Sequence, residues 1–580
     1  MSQHPNIILG LSFGHGDSSA ALVVGGQLVA AAEEERFNRI KHYASFPTQA
    51  VQFCLQQAGL KPADVEVVAI ARKPWNQFLK KVPLLLAHPH LIGFSKRQKK
   101  DSSKAFPTWL SEMDLTHSKI QSFEHHFAHM MSSRFLSQAE NQALLSFDGL
   151  GDFVSASIGV STPTTVKILD RVVFPHSMGF FYTAMTQYLG FPYFGDEFKV
   201  MGLSSLGKPR FHSVMKNLIR EAEPFGFRLN LEAFPILKTP GLFYLLNSQP
   251  YVRTLYNSQY LTAVLGIPPR KPKEPLTEVH WDLAKSVQVR FEEVANHLLR
   301  YLEKQVPTDT LALSGGCAHN SVWVGKIPQN SRFSEVIVAP ASHDAGIAVG
   351  AAIAAFGGSV SPRSQESWAL LGPQVNQSVN PSSLEGLEEH SFSKESKLIE
   401  FLADEIASGK IIGVARGKLE FGPRALGNRS ILADPRKHEM KDRLNARVKH
   451  RESFRPFAAS VLMEYQNQWF ENSFHAPTME AVFPVRSSMK SKIAGVVHVD
   501  GSCRIQSVSH NSQPFYWDLI EAFRKKTGVP MLINTSFNDS EPIVLSNEDA
   551  IRCFMTTEMD YLLLENRLFS KKAAAIALTA

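Results

Sequence analysis

Cysteine is scarce in this chain. There are four in 580 residues (Cys54, Cys317, Cys503 and Cys553), and no two form a CxxC pair. That excludes a disulfide framework and a sulfur-bound structural zinc, and it fits a reducing compartment. Long apolar runs are also missing. The longest candidate, AGIAVGAAIAAFGG at 345–358, is shorter than a membrane span, rich in small residues and preceded by Asp344. The opening MSQHPNIILG has no basic leader ahead of an apolar core, so a cytoplasmic protein with no membrane partner is expected. Net charge is modest at +7, gathered in SKRQKK (95–100), PPRKPKEP (268–275) and the stretch 410–455. Such runs are read first as solvated surface. Without a finger, an aromatic ribonucleoprotein motif or a helix-turn-helix signature, no nucleic-acid partner is expected. What remains is an ordinary globular composition, 44% hydrophobic and 20% charged, in a chain too long for one core.

The chain opens with three strand signals, IILGLSF, AALVV and QLVAAA, the last two separated by the hairpin pair Gly25-Gly26. The pattern returns. SFGHGDSSAALVV (12–24) and SFDGLGDFVSASIGV (146–160) both place Ser-Phe, a glycine and an aspartate at a strand-to-strand turn. Glycines let backbone N–H groups approach phosphate, and the aspartates can hold a cation or water. Two such turns predict a duplicated domain with its ligand between the halves, the logic of actin-like, ribonuclease H-fold ATPases. TLALSGGCAHN (310–320) adds a strand and a Gly-Gly turn; VIVAPASHDAGIAVGAA (336–352) adds a strand, a turn bearing Asp344 and a small-residue helix.

FEHHFAHMM (123–131) places His125, His126 and His129 within five positions. Metal binding, proton transfer and simple packing all suit such a cluster. On a helix His125 and His129 share a face, while His126 points elsewhere. Asp148 and Asp344, each at a strand-end turn, turn the reading toward a metal. Two imidazoles and two carboxylates suit Fe(II), with Mn(II) or Mg(II) as alternatives, and leave positions for phosphate oxygens. In SGGCAHN, Cys317 and His319 raise a Cys–His nucleophile as the rival to a thiol packed as a small hydrophobe; the second reading is preferred.

These strings together resemble the ATP-dependent O-carbamoyltransferases of antibiotic, toxin and nodulation-factor biosynthesis, the tobramycin carbamoyltransferase-like family. The resemblance runs through HGDSSAALV, EEERFNRIKH, HHFAH, FDGLGD, KVMGL, SGGCAHN and PASHDAGIAVGAA. It continues in EFGPRALGNRSILADPR, VKHRESFRPFAASVL, HVDGSCRIQSV and NTSFNDSEPIV. It implies a duplicated actin-like domain over 1–360, a linker over 361–385 and a YrdC-like α/β domain over 386–570. It implies metal ligands at His125, His129, Asp148 and Asp344. ATP contacts fall at Lys41, Asp148, Gly149, Gly151, Gly315, Gly316 and Asn320. His15, with Asp17 beyond Gly16, is implied to activate the acceptor hydroxyl.

Read on its own chemistry, the second domain begins after a Ser-, Pro-, Asn- and Gln-rich stretch. KLIEFLADEIASGK has helical periodicity, IIGVARG is a strand, and many cations follow. Arginine forks match phosphate geometry and lysine supplies a point charge. Structural salt bridges are the preferred reading for Arg429, Arg451 and Arg455. The resemblance assigns carbamoyl-phosphate contacts to Arg424, Lys449, Arg504, Asn534, Thr535 and Ser536.

The implied reaction has three steps. Carbamoyl phosphate is cleaved, carbamate passes through an interior channel to be activated by ATP as carbamoyl-adenylate, and the carbamoyl group moves to a hydroxyl of a small-molecule natural product. The family signal fades over 209–280, an aromatic- and proline-rich stretch expected to be an insertion near the acceptor site. Rival readings are threonylcarbamoyl-type tRNA modification, hydrogenase-maturation carbamoyl transfer, and a non-catalytic actin-like nucleotide sensor.

Overall fold

A computed structural model describes residues 6–572, apart from 74, 92–104, 138, 163–164, 240, 359, 361–363 and 376–378. The basic cluster 95–100 lies outside the described residues. The chain divides into two units. The first comprises Met1–Glu35, Lys41–Asn320 and Ile327–Ser364; the second comprises Arg36–Ile40, Ser321–Lys326 and Gln365–Ala580.

The first unit grows from the two apolar runs noted in the sequence. IILGLS forms β1 (Ile7–Ser12), followed by β2 (Ser19–Val24), β3 (Gln27–Glu33), β4 (Val67–Ile70) and β5 (Lys119–Ser122). They make one sheet in the order β3-β2-β1-β4-β5, the first three antiparallel and the last two parallel to β1. The second run forms β6 (Gln142–Gly151), β7 (Val154–Ser161) and β8 (Val166–Val173). Two small hairpins follow, β9 (Ile219–Glu221) with β10 (Phe227–Leu229) and β11 (Phe243–Leu246) with β12 (Gln249–Val252). Then come β13 (Thr310–Ser314) and β14 (Glu335–Val338). The second sheet is ordered β14-β13-β6-β7-β8, again with three antiparallel strands and two parallel additions. Position for position this is the first sheet repeated, so the duplication is a fact of topology.

Each repeat closes with a helix after its fifth strand, His125–Arg134 in the first and Gly346–Phe356 in the second. The second helix is built from Gly, Ala, Ile and Val, and nearly every residue is buried. Small residues let it lie against its counterpart: a Cβ on Gly350 would sit 1.8 Å from the Ala128 carbonyl oxygen. The close approach brings together the ends of the two helices that carry the site. The 209–280 stretch supplies the two hairpins and the helix Ser258–Leu265, with Phe234, Ile236 and Leu261 in its own core. Its hairpin turn also reaches back: Ala44 N–H donates to the Ser248 carbonyl at 2.8 Å, and Gln249 Nε2 to the Lys41 carbonyl at 3.0 Å.

The second unit is a single nine-stranded mixed sheet. Its strands are β15 (Leu387–His390), β16 (Ile412–Ala415), β17 (Arg429–Ala433), β18 (Ala458–Leu462) and β19 (Ala481–Pro484). They continue with β20 (Ser502–Val508), β21 (Met531–Ser536), β22 (Tyr561–Leu564) and β23 (Arg567–Lys571). The order is β15-β23-β22-β16-β17-β21-β18-β20-β19. Amphipathic helices Glu395–Ser408 and Pro514–Thr527 bury Leu402, Ile406, Leu519 and Phe523. This is the α/β domain that the resemblance describes as YrdC-like. Residues 365–369, inside the stretch read as linker, form a short helix with Trp368 buried. Part of EEERFNRI belongs here as well, with Arg39 donating to the Ile543 and Pro542 carbonyls at 2.7 and 2.6 Å.

Candidate metal centre and anion pocket

The helix His125–Arg134 starts at Glu124, whose carboxylate caps the Phe127 N–H at 2.7 Å. That start puts His125 and His129 one turn apart on the buried face, with their Nε2 atoms 3.1 Å from each other. Asp148, within β6, and Asp344, between β14 and the second helix, complete the group. His125 Nε2 lies 3.4 Å from both Asp148 Oδ2 and Asp344 Oδ1; His129 Nε2 lies 3.3 and 3.4 Å from the same atoms. The four donor atoms all fall within 4.8 Å of one another.

These separations fit a cation. Bonds of about 2.1 Å at tetrahedral or right angles put neighbouring donors roughly 3.0–3.4 Å apart. The Asp344 Oδ1 atom is buried and accepts no hydrogen bond among the described residues, which leaves it open toward the centre. Asp148 Oδ1, by contrast, accepts from the Gly149 and Gly316 N–H groups at 2.7 and 3.1 Å, leaving Oδ2 to face the imidazoles. Such outer hydrogen bonds fix the ligand's orientation. Burial alone would raise both aspartates, and it is overcome. The imidazoles, and for Asp344 also His15, drive the two carboxyls well below the ordinary range. The same field outweighs burial at His125 and raises its imidazole. A field that would trap a proton here would also hold a divalent ion.

His126 is excluded from the group. Its Nδ1 meets Ser146 Oγ at 2.8 Å and its Nε2 meets the Val154 carbonyl at 2.9 Å, while burial pushes the ring down to about 3. It is a neutral packing residue. Gly151 is required by space, since a Cβ there would meet the His125 ring at 2.0 Å. Asp152 is a partner that sequence reasoning missed. Its Oδ2 accepts from the N–H groups of His125 at 3.0 Å and Lys73 at 2.7 Å, tying the helix start to a distant loop.

His15 is drawn to the cluster, its Nδ1 2.9 Å from Asp344 Oδ2. Asp17 turns to a different imidazole, with Oδ1 2.7 Å from His42 Nδ1. Burial opposes ionisation of Asp17, but His42 and His343 pull it down to about 2. Lys41 precedes His42 in this segment. Gly315 follows β13 and packs on the Phe147 backbone; Asn320 exchanges two side-chain hydrogen bonds with Gln288 at 2.9 Å. Burial, then Asp148 and Glu197, push the Cys317 thiol far above its ordinary range, which disfavours the thiolate.

In the second unit Lys449 is buried. Its Nζ donates to the Asn538 carbonyl and Oδ1 at 2.6 Å each and to the Ser536 carbonyl at 3.0 Å. Burial, then Arg451, hold the ammonium well below its ordinary range. Arg424 and Arg504 differ from most arginines of the unit. Neither guanidinium has a hydrogen-bond or ion-pair partner among the described residues, and Arg504 Nε is a buried donor left unsatisfied. Burial, then Arg504 and Arg455, push Arg424 down to about 9; burial and Arg455 bring Arg504 to about 10. Burial with Arg455 and Arg504 lowers Arg451 to about 8. Arg424 and Arg504 are thus cations without a counter-ion among the described residues, which makes them a candidate anion site. Arg429 differs in one respect: burial lowers it to about 10 and its Nε has no partner, as at Arg504, but its Nη1 donates to the carbonyls of Arg416, Gly417 and Asn428 at 2.9, 3.2 and 2.9 Å. Ser536 Oγ donates to Asn538 Oδ1 at 2.7 Å. Asn534 Nδ2 is tied to Ser460 and Gln506, both at 3.0 Å, while Thr535 pairs with Ile431 on β17.

The first unit is a duplicated ribonuclease H-like domain with two histidines and two aspartates that could hold a metal, and the second is an α/β domain with a cluster of arginines. The chain belongs to the carbamoyltransferase family: residues 7–353 match Carbamoyltransferase N-terminus and residues 403–571 match Carbamoyltransferase C-terminus. Nodulation protein NolNO of Sinorhizobium fredii is 36% identical over 96% of this chain and 79% of its own length. Nodulation protein NolO of Bradyrhizobium diazoefficiens is 38% identical over 78% of this chain and 79% of its own. Among solved structures, HypF of T. kodakarensis aligns at 13% identity with a TM-score of 0.32, covering 61% of this chain and 48% of that one. The protein is therefore a carbamoyltransferase-family transferase. No helix among the described residues is long and apolar enough to cross a membrane.

Proposed function

We propose that the protein is an ATP-dependent O-carbamoyltransferase acting on a hydroxylated small-molecule natural product, with carbamoyl phosphate as donor. In the second unit, water and carbamoyl phosphate give carbamate and inorganic phosphate. Arg424, Arg504 and Lys449 neutralise the phosphate, with Ser536, Thr535 and Asn534 lining the reaction. The uncompensated charge of Arg424 and Arg504 carries this reading, because a stable fold gains nothing from desolvated cations without an anion.

In the first unit, carbamate oxygen attacks the ATP α-phosphate, giving carbamoyl-adenylate and pyrophosphate. The acceptor hydroxyl then attacks the carbamoyl carbon and AMP leaves. His125, His129, Asp148 and Asp344 would hold a divalent ion, Fe(II) by donor set, with Mn(II) or Mg(II) as alternatives. When bound, that ion supplies Lewis-acid neutralisation of phosphate charge. We assign ATP contacts to Lys41, Gly149, Gly151, Gly315, Gly316 and Asn320, and the acceptor's proton to His15 and Asp17. The hairpin turn at Ser248 and Gln249, hydrogen-bonded to 41–45 beside Asp17, supports an acceptor site formed partly by the 209–280 insertion.

The test separates the two chemistries. Lys449→Ala and Arg504→Ala should abolish phosphate release from carbamoyl phosphate yet carbamoylate an acceptor from supplied carbamoyl-adenylate. Asp344→Ala should still release phosphate and form no adenylate. Loss of both activities in all three folded variants contradicts the two-site scheme.

A further inference from the structure

The helix Phe78–Ala87, FLKKVPLLLA, is apolar in composition, yet none of its residues is buried. Phe78, Leu79, Val82 and Leu86 fall at helical spacing on a single face. That face looks outward: Leu79 is 87% exposed, Leu86 73% and Phe78 52%, with Trp75 just ahead of the helix at 70%. A face of this kind is turned inside out relative to an ordinary amphipathic surface helix, whose leucines meet the core. Contiguous exposed apolar surface on a globular protein marks an interaction site.

The charge around it identifies the partner. Between Glu66 and Asp101 the sequence holds no acid, while Arg72, Lys73, Lys80 and Lys81 lie within ten positions and four more Lys or Arg follow at 96–100. Arg72, Lys73, Lys80 and Lys81 thus add four positive charges in and just before the helix with no acid between them in sequence. Self-association would bring these like charges together. A basic flank beside Trp, Phe and Leu on one face is the signature of a helix lying in the plane of an anionic lipid surface. Nucleic acid would use the lysines and leave the leucines in water.

The helix is held in place at its start. Lys73 N–H donates to Asp152 Oδ2 at 2.7 Å, the atom that also receives the His125 N–H at 3.0 Å, and Lys81 Nζ lies 5.4 Å from the Phe153 ring centre. Its apolar face is therefore presented on an anchored segment.

We propose that Trp75 and the helix Phe78–Ala87 form a peripheral docking surface for anionic membranes. The expectation of no membrane partner rested on the lack of a spanning run, and a surface-lying helix needs none. Residues 92–104 contribute charge in sequence only and are not part of the proposed surface.

The experiment is co-sedimentation of the full chain with phosphatidylcholine vesicles, with and without phosphatidylserine. Wild type should bind the mixed vesicles, and binding should weaken as salt rises. The Leu79→Ser/Leu86→Ser variant should lose at least about tenfold in affinity, since both leucines leave the lipid. Lys73→Glu/Lys80→Glu should lose about fivefold or more per lysine and flatten the salt dependence. These side chains are exposed, so both variants should keep the wild-type thermal midpoint. Absence of wild-type binding, or affinity unchanged in the leucine variant, overturns the proposal. So does a dimer that the leucine variant dissociates, or binding of single-stranded RNA in place of vesicles.

Discussion

Replacing Arg424 by Gln should make the unliganded protein more stable and the enzyme worse. Burial, with Arg504 and Arg455 nearby, lowers the Arg424 guanidinium to about 9. For a base, a lowered folded-state value means that the fold disfavours the charged form. At pH 7, below both the folded and unfolded values, that penalty is present in full; it is relieved only as pH rises through about 9. Discounted for water reaching a half-buried group, relief of the charge should stabilise the second unit by about 1–2 kcal/mol. That corresponds to a rise of roughly 2–8 °C in the melting temperature. Carbamoyl phosphate should reverse the order. A charge-assisted hydrogen bond to phosphate contributes about 1.5–3 kcal/mol, so kcat/KM for carbamoyl-phosphate cleavage should fall roughly 10- to 150-fold. The assay is thermal unfolding with and without inorganic phosphate, alongside phosphate release. Arg429→Gln is the internal contrast, because it removes a donor from three carbonyls and should lower the melting temperature. If Arg424→Gln melts below wild type without phosphate and cleaves carbamoyl phosphate normally, the pocket is a structural salt network and the reasoning fails.

Two further outcomes test the first unit. His129→Ala and Asp148→Asn should each lose at least about tenfold in affinity for a divalent ion, read by metal analysis after dialysis against limiting Fe(II) or Mn(II); unchanged occupancy in both removes the centre. Gly350→Ala should cost about 1–3 kcal/mol, because its Cβ would meet the Ala128 carbonyl at 1.8 Å and push the two site helices apart. That variant should also lose metal, and a stable Gly350→Ala protein with full metal content would show the helix approach to be unimportant.

Much of the first unit was legible because its signals are local. Alternating and continuous apolar runs located β1, β2 and β3, and the Gly25-Gly26 pair located the hairpin between the last two. The repeated turn at Asp17 and Asp148 pointed to a duplication that the two sheet orders establish. The i, i+4 spacing of His125 and His129 is likewise local, which is why their shared face could be read in advance. What was not legible depends on contacts between distant segments. Asp152, which ties His125 to Lys73, sits in a turn whose sequence shows only an ordinary aspartate. Nothing in the motifs distinguishes His15, which turns to Asp344, from Asp17, which turns to His42. Arg429, whose Nη1 donates to three carbonyls, and Arg424, which has no partner among the described residues, are five positions apart, and only their surroundings separate them. The outward helix Phe78–Ala87 carries no sequence signal of its exposure, because apolar residues at helical spacing ordinarily face a core.

The central claim is that carbamate is activated by adenylation, and nucleotide product analysis tests it most directly. The full chain with carbamoyl phosphate, ATP and a divalent ion, given hydroxylamine as a small nucleophile, should release AMP and pyrophosphate. One phosphate from carbamoyl phosphate should accompany each pyrophosphate, and no AMP should form when carbamoyl phosphate is omitted. Stoichiometric ADP, or AMP formation that ignores carbamoyl phosphate, would contradict the account.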